Sequence, residues 1–145
     1  MSKCNTAKAP LGPEQIERIV EQTEEGAARE IHTAAMLAAY TGLRLGEIAG
    51  IRWQDVDFNN NSLRIVSAKD RHVQIVLMPP AIAEFLKKLS LEREQADEIF
   101  HHPLPWLVCR LNRALRKACL RLGLPRINAH DLRRSFVCNL PPRKP

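Results

Sequence analysis

This sequence lacks three things at once: an apolar run long enough to cross a bilayer, a paired cysteine spacing, and any tyrosine besides Tyr40. A helix needs roughly 20 consecutive apolar residues to span a membrane, and no segment approaches that length. Met1-Ser2-Lys3-Cys4-Asn5-Thr6 carries no apolar signal core behind its lysine, so a cytoplasmic protein without a membrane partner is expected. Cys4, Cys109, Cys119 and Cys138 are scattered, which indicates neither a zinc knuckle nor a redox pair. Reduced, mostly buried thiols are the expectation, in keeping with a reducing compartment.

Acidic residues are scarce in one part of the chain only. Residues 1–100 carry 12 Lys/Arg against 15 Asp/Glu, a net of −3, whereas residues 101–145 carry 10 against Asp131 alone, a net of +9. A basic C-terminal third points to a polyanionic partner, nucleic acid first, although a basic helix face that only meets solvent is common.

At 145 residues the chain is long enough for one domain with a real core. Residues 1–10 are polar and aperiodic and read as a disordered tail, with order expected over 11–140 and a further tail at 141–145. Pro13, Ile16, Ile19 and Val20 suit a short amphipathic helix over 13–22. Ala27–Tyr40 has almost no polar face and reads as the central helix, broken at Thr41-Gly42. Ile48, Ile51 and Trp53 continue as a short helix.

Leu63/Ile65 and Val73/Ile75/Leu77 then alternate on either side of Ala68-Lys69-Asp70-Arg71, a β-hairpin with Lys69 at its tip. The alternation suits a small sheet with one buried face. Pro79-Pro80 opens a helix through Ala81–Leu91, and Ile99-Phe100-His101 reads as a third short strand. From Pro105 to Leu122 apolar residues recur at three and four, and Arg110, Arg113, Arg116, Lys117 and Arg121 fall mainly on another face. Gly123 and Pro125 end that helix, and Asn128 caps a last one on which His130 and Arg133, three apart, point away from Leu132 and Phe136.

Two of these residues suit one task. A phosphodiester under attack gains charge on its non-bridging oxygens, and a pair of guanidiniums clamps them with bidentate, permanently charged hydrogen bonds. Arg44 and Arg133 fit that role, while a lone arginine is more often a surface ion pair of little energetic weight. Tyr40, ending an apolar helix, reads as core packing rather than as a nucleophile. His101-His102 has no further ligand at metal spacing and reads as a loop pair, and Trp53 and Trp106 read as core.

The ordered series Thr41-Gly42-Leu43-Arg44, Glu47, Trp53-Gln54-Asp55-Val56-Asp57, a hairpin lysine, then His130-Asp131-Leu132-Arg133-Arg134-Ser135 resembles the tyrosine recombinases, the phage integrase family. The resemblance implies an α+β, mainly α, catalytic domain with a small antiparallel β-sheet over 11–140. It also implies a metal-free, cofactor-free transesterification on double-stranded DNA through a 3′-phosphotyrosyl link, with other recombinase protomers as partners. By that resemblance Arg44 and Arg133 clamp the phosphate and Glu47 supports Arg44. Lys69 protonates the leaving 5′-oxygen, with Arg71 a rival for that role, and His130 moves a proton. Arg71, Arg110, Arg113, Lys117 and Arg134 are the candidate DNA contacts.

The family's pattern continues beyond the second arginine with another His or Trp and then the nucleophilic Tyr, and this sequence stops before both. A truncated integrase or site-specific recombinase domain, inactive alone, is therefore expected. The alternative is a non-catalytic DNA-binding or regulatory module, or a gene remnant without function.

Overall fold

In a computed structural model, residues 11–26, 29–67, 70–92 and 97–139 are described. Six helices and three strands occur among them. Helix α1 (Pro13–Gly26) starts on a proline, whose missing N–H costs nothing in the first turn. It runs several residues past its expected end. In its last turns the buried Thr23 hydroxyl donates to the Val20 carbonyl at 2.6 Å and meets His32 Nδ1 at 2.8 Å, which ties α1 to α2 (Arg29–Thr41).

Every residue of α2 from Ile31 to Ala39 is buried. Ala34, Ala35, Ala38 and Ala39 leave its surface nearly flat, so α1, α5 (Leu104–Leu122) and α6 (Ala129–Cys138) all pack against it. Leu107, Leu111 and Leu115 supply the facing stripe of α5. Each such leucine contributes about 1.5–3 kcal/mol by leaving water. The ends of the bundle are stitched together, since Ser135 Oγ accepts from Leu11 N–H at 3.1 Å and Asn139 Nδ2 donates to the Leu11 carbonyl at 2.9 Å.

After α2 come α3 (Leu45–Ala49) and a 3-10 turn (Trp53–Asp55), in place of the single short helix expected. Strands β1 (Val56–Asp57), β2 (Ser62–Val66) and β3 (Val73–Leu77) form an antiparallel sheet in the order β1-β2-β3. The third strand is thus β1 and not Ile99-Phe100-His101. Ile99 and Phe100 are buried in irregular chain, beside an isolated bridge between Arg52 and Glu98.

The hairpin forms as expected, but its register differs from the simplest reading of the alternation. Leu63 pairs with Val76 and Ile65 with Gln74, while Arg64 pairs with Ile75. Paired residues share a face, so Leu63 and Ile65 enter the core and Val73, Ile75 and Leu77 stand outward beside Arg64. Helix α4 (Pro80–Glu92) follows, with Ile82, Ala83 and Leu86 inward.

Among the described residues no helix is long and apolar enough to cross a membrane. Cys109 and Cys119 are free, the first exposed and the second buried. Cys138 is disulfide-bonded, a departure from the expectation of reduced thiols. The expected tails and Lys69 lie outside the described residues.

Candidate active site

The break after α2 is set by Thr41 and Gly42. Thr41 Oγ1 donates to the Leu37 carbonyl, and Gly42 takes a left-handed φ of +73° that a side chain would resist. A Cβ there would lie 2.5 Å from Cδ2 of Phe136 on α6, so the turn and α6 meet in direct contact. Two residues on, Arg44 is the extended N-cap of α3, with φ −76° and ψ 151°. Its backbone N–H donates to Glu47 Oε1 at 2.9 Å. Glu47 therefore holds Arg44 through the main chain. The Arg44 guanidinium stays exposed, with no ion pair among the described residues.

Helix α6 is positioned from its N-terminus. Asn128 Oδ1 accepts from Asp131 N–H at 3.0 Å, Asp131 Oδ2 accepts from Asn128 N–H at 2.9 Å, and Asn112 Oδ1 on α5 accepts from Ala129 N–H at 2.9 Å. These bonds satisfy donors that a first helical turn leaves open. Leu132 and Ser135 face inward, which sends His130 to the surface and leaves Arg133 half-buried. Arg133 Nε donates to the Gly42 carbonyl at 2.8 Å, so the remaining guanidinium nitrogens are aimed by the turn that carries Arg44.

Arg44, His130 and Arg133 converge on one open cleft of about 330 Å³, together with Asn112 and Asn128 and an apolar floor that includes Leu43 and Val108. Among the described residues no carboxylate lines it. Two guanidiniums and an imidazole together can hold a small, doubly coordinated anion such as a phosphodiester.

The other candidates are not all gathered there. Arg134, expected at DNA, turns inward: its side chain is only 10% exposed and pairs with Asp131 at 3.4 Å. That pairing ties Arg134 to the first turn of α6. Arg71 is exposed at the hairpin with φ +55°. Arg110, Arg113 and Lys117 are exposed on α5 but do not line the cleft, to which α5 contributes Val108 and Asn112. Arg110 lies over the Trp106 ring at 5.4 Å, and His102 stacks on that ring at 3.7 Å while its Nδ1 meets Glu30 Oε1 at 3.2 Å.

Tyr40 packs against the core, and burial first, then Glu17 and Glu21 on α1, raise its pKa. Asn112 escaped sequence reasoning altogether. Its signal was faint: a lone amide in a helix otherwise divided between apolar and basic residues.

A mainly helical domain with a three-stranded antiparallel sheet is the fold of tyrosine recombinase catalytic domains. The chain belongs to the phage integrase family, whose model matches residues 10–142. It is 32% identical over 105 residues to the prophage integrase IntF of Escherichia coli (strain K12), covering 66% of this chain and 22% of that protein. It is 25% identical over 133 residues to a tyrosine recombinase of Pseudothermotoga lettingae, covering 90% of this chain and 46% of the relative. The chain therefore spans less than half the length of these two relatives.

Among solved structures the XerA recombinase superposes with a TM-score of 0.72 at 21% identity, over 89% of this chain and 49% of that one. The Tn1549 transposon integrase in complex with a circular intermediate DNA gives a TM-score of 0.72 at 18% identity, over 94% and 54%. At these identities the superpositions speak for the fold.

Proposed function

We propose that residues 11–140 form the phosphate-clamping part of a DNA-integrating, site-specific recombinase domain that acts on double-stranded DNA in the cytoplasm. The observation that carries this reading is the convergence of Arg44, His130 and Arg133 on one carboxylate-free cleft, with Arg133 tethered to the turn that presents Arg44. In this reading the two guanidiniums bind the non-bridging oxygens of the scissile phosphate and stabilise the charge that grows there during attack. Glu47 positions Arg44 through its backbone N–H. Arg71, Arg110, Arg113 and Lys117 add phosphate contacts outside the cleft.

In the displacement, a tyrosine oxygen forms a bond to phosphorus as the bond from phosphorus to the 5′-oxygen breaks. The phenol proton leaves through a base, for which His130 is placed at the cleft, and the departing 5′-oxygen takes a proton from the hairpin lysine, Lys69. We assign no nucleophile within this chain. Tyr40 sits on the α1 side of α2 under the influence of Glu17 and Glu21, and not in the cleft. The chain alone is thus a DNA-binding, phosphate-orienting unit that does not cleave.

Titration of a fluorescent duplex by anisotropy tests the reading. Weak binding that falls steeply with salt is expected, because its contacts are to phosphates. Absence of binding at low salt, or affinity indifferent to salt, overturns it.

A further inference from the structure

Asn112 stands outside the set of residues assigned so far, yet it lines the same cleft as Arg44, His130 and Arg133. Its amide orientation follows from chemistry. The atom 2.9 Å from Ala129 N faces an N–H donor and must be the carbonyl oxygen. The two hydrogens on Nδ2 are then left with no partner among the described residues, on a half-buried side chain at the wall of an anion site.

We infer that Asn112 is a third, uncharged donor to the scissile phosphate, which locks the N-terminus of α6 through Oδ1 and hydrogen-bonds a phosphate oxygen through Nδ2. The inference rests on the proposed phosphate-clamping reading of the cleft. The two halves of the amide do separate work. The oxygen fixes the helix turn from which His130 and Arg133 project, and the nitrogen adds hydrogen bonding without adding charge. A phosphate flanked by two arginines is already neutralised, so a neutral amide refines geometry where a third cation would meet repulsion from the other two. A hydrogen bond to a charged group is strong enough that its loss should cost about tenfold in affinity.

The test combines salt-dependent duplex binding with side-chain NMR on the full chain. Asn112→Ala should bind the duplex about tenfold more weakly than wild type while the slope of log affinity against log salt stays unchanged, since no ion is lost. Arg133→Ala should instead lower that slope by about one. Because Asn112→Ala also removes the bond to Ala129, Asn112→Asp is run beside it. The aspartate keeps an acceptor for Ala129 N–H and should melt like wild type while binding more weakly still.

The decisive measurement is the side-chain NH2 resonance of Asn112, assigned by its loss in Asn112→Asp and followed as inorganic phosphate is added to wild type. Saturable movement together with the Arg133 Nε resonance supports the inference. An unmoved Asn112 amide beside a shifting Arg133 overturns it and leaves the cleft reading intact. Absence of any response from Arg44, Arg133 and Asn112, with no duplex binding, overturns both.

Discussion

The backbone carbonyl of Gly42 accepts a 2.8 Å hydrogen bond from Nε of Arg133, 91 residues further along the chain. One arginine of the pair is thereby anchored to the turn that presents the other. Gly42 has no room for a side chain, since its φ is +73° and a Cβ would lie 2.5 Å from the Phe136 ring. Gly42→Ala should therefore destabilise the fold by about 2–4 kcal/mol through left-handed strain and overpacking, and weaken duplex binding as Arg133 loses its anchor. Urea unfolding gives the first quantity. A midpoint equal to that of wild type would contradict the close packing of the turn on α6.

Replacing Arg133 by lysine should not rescue the cleft. Lysine keeps the charge but has no Nε–H to reach Gly42 and no planar fork for two phosphate oxygens. Duplex titrations should show Arg133→Lys close to Arg133→Ala in affinity and close to wild type in salt slope. Full affinity in the lysine variant would mean that charge alone matters there.

Arg134 should behave as a structural residue. Its pairing with the buried Asp131 stabilises the first turn of α6, and removing one partner of such a pair leaves the other uncompensated. Arg134→Ala should cost about 1–3 kcal/mol of stability and leave the salt slope of binding unchanged. A slope reduced by about one with unaltered stability would place Arg134 at the DNA after all.

Tyr40 carries the pH prediction. Its pKa is raised above the ordinary 10.0 by burial, with Glu17 and Glu21 adding to the effect. The folded phenol keeps its proton to higher pH than the unfolded one. Its contribution to stability is therefore complete below the unfolded value and disappears as pH rises through the folded one. Tyr40→Phe should flatten the alkaline end of the stability profile, and near-ultraviolet titration of wild type should show a late phenolate. Labelled nicked duplex should yield no covalent adduct on denaturing gels; an adduct that vanishes in Tyr40→Phe would show that this hydroxyl reaches the phosphate.

The helices were legible because their causes are local. Pro13, Asn128 and Gly123 mark ends by backbone chemistry, and the stripe at Leu107, Leu111 and Leu115 shows a 3.6-residue period without ambiguity. The sheet was less legible. Period two tells which residues of β3 share a face, but whether that face meets the core depends on its register with β2, and one residue of shift inverts the answer. Val73, Ile75 and Leu77 were expected inside and stand outside.

The same limit applies to the neighbours Arg133 and Arg134, whose opposite fates follow from where α2 and Asp131 lie in space. Arg44, His130 and Arg133, singled out by a resemblance that rests on their order along the chain, line one cleft. Asn112 was not singled out, because its partner Ala129 becomes a neighbour only when α5 and α6 fold together.

Stability measurements check the register. Ile75→Thr, outward on β3, should change unfolding free energy by no more than about 0.5 kcal/mol, whereas Leu63→Ala, fully buried on β2, should cost about 2–5 kcal/mol. Comparable losses at both positions would mean that the outward face of β3 is covered in solution.

The distance in sequence between Gly42 and Arg133 also sets a timetable for biosynthesis. A ribosome that has released only α1, α2 and α3 has exposed Arg44 without its counterpart, and the groove beside it has neither α5 nor α6 as a wall. Contacts this distant in sequence form only after their loop has closed, so they come late. The nascent chain therefore completes the cleft between Arg44 and Arg133 in one late step, when α6 docks on α2.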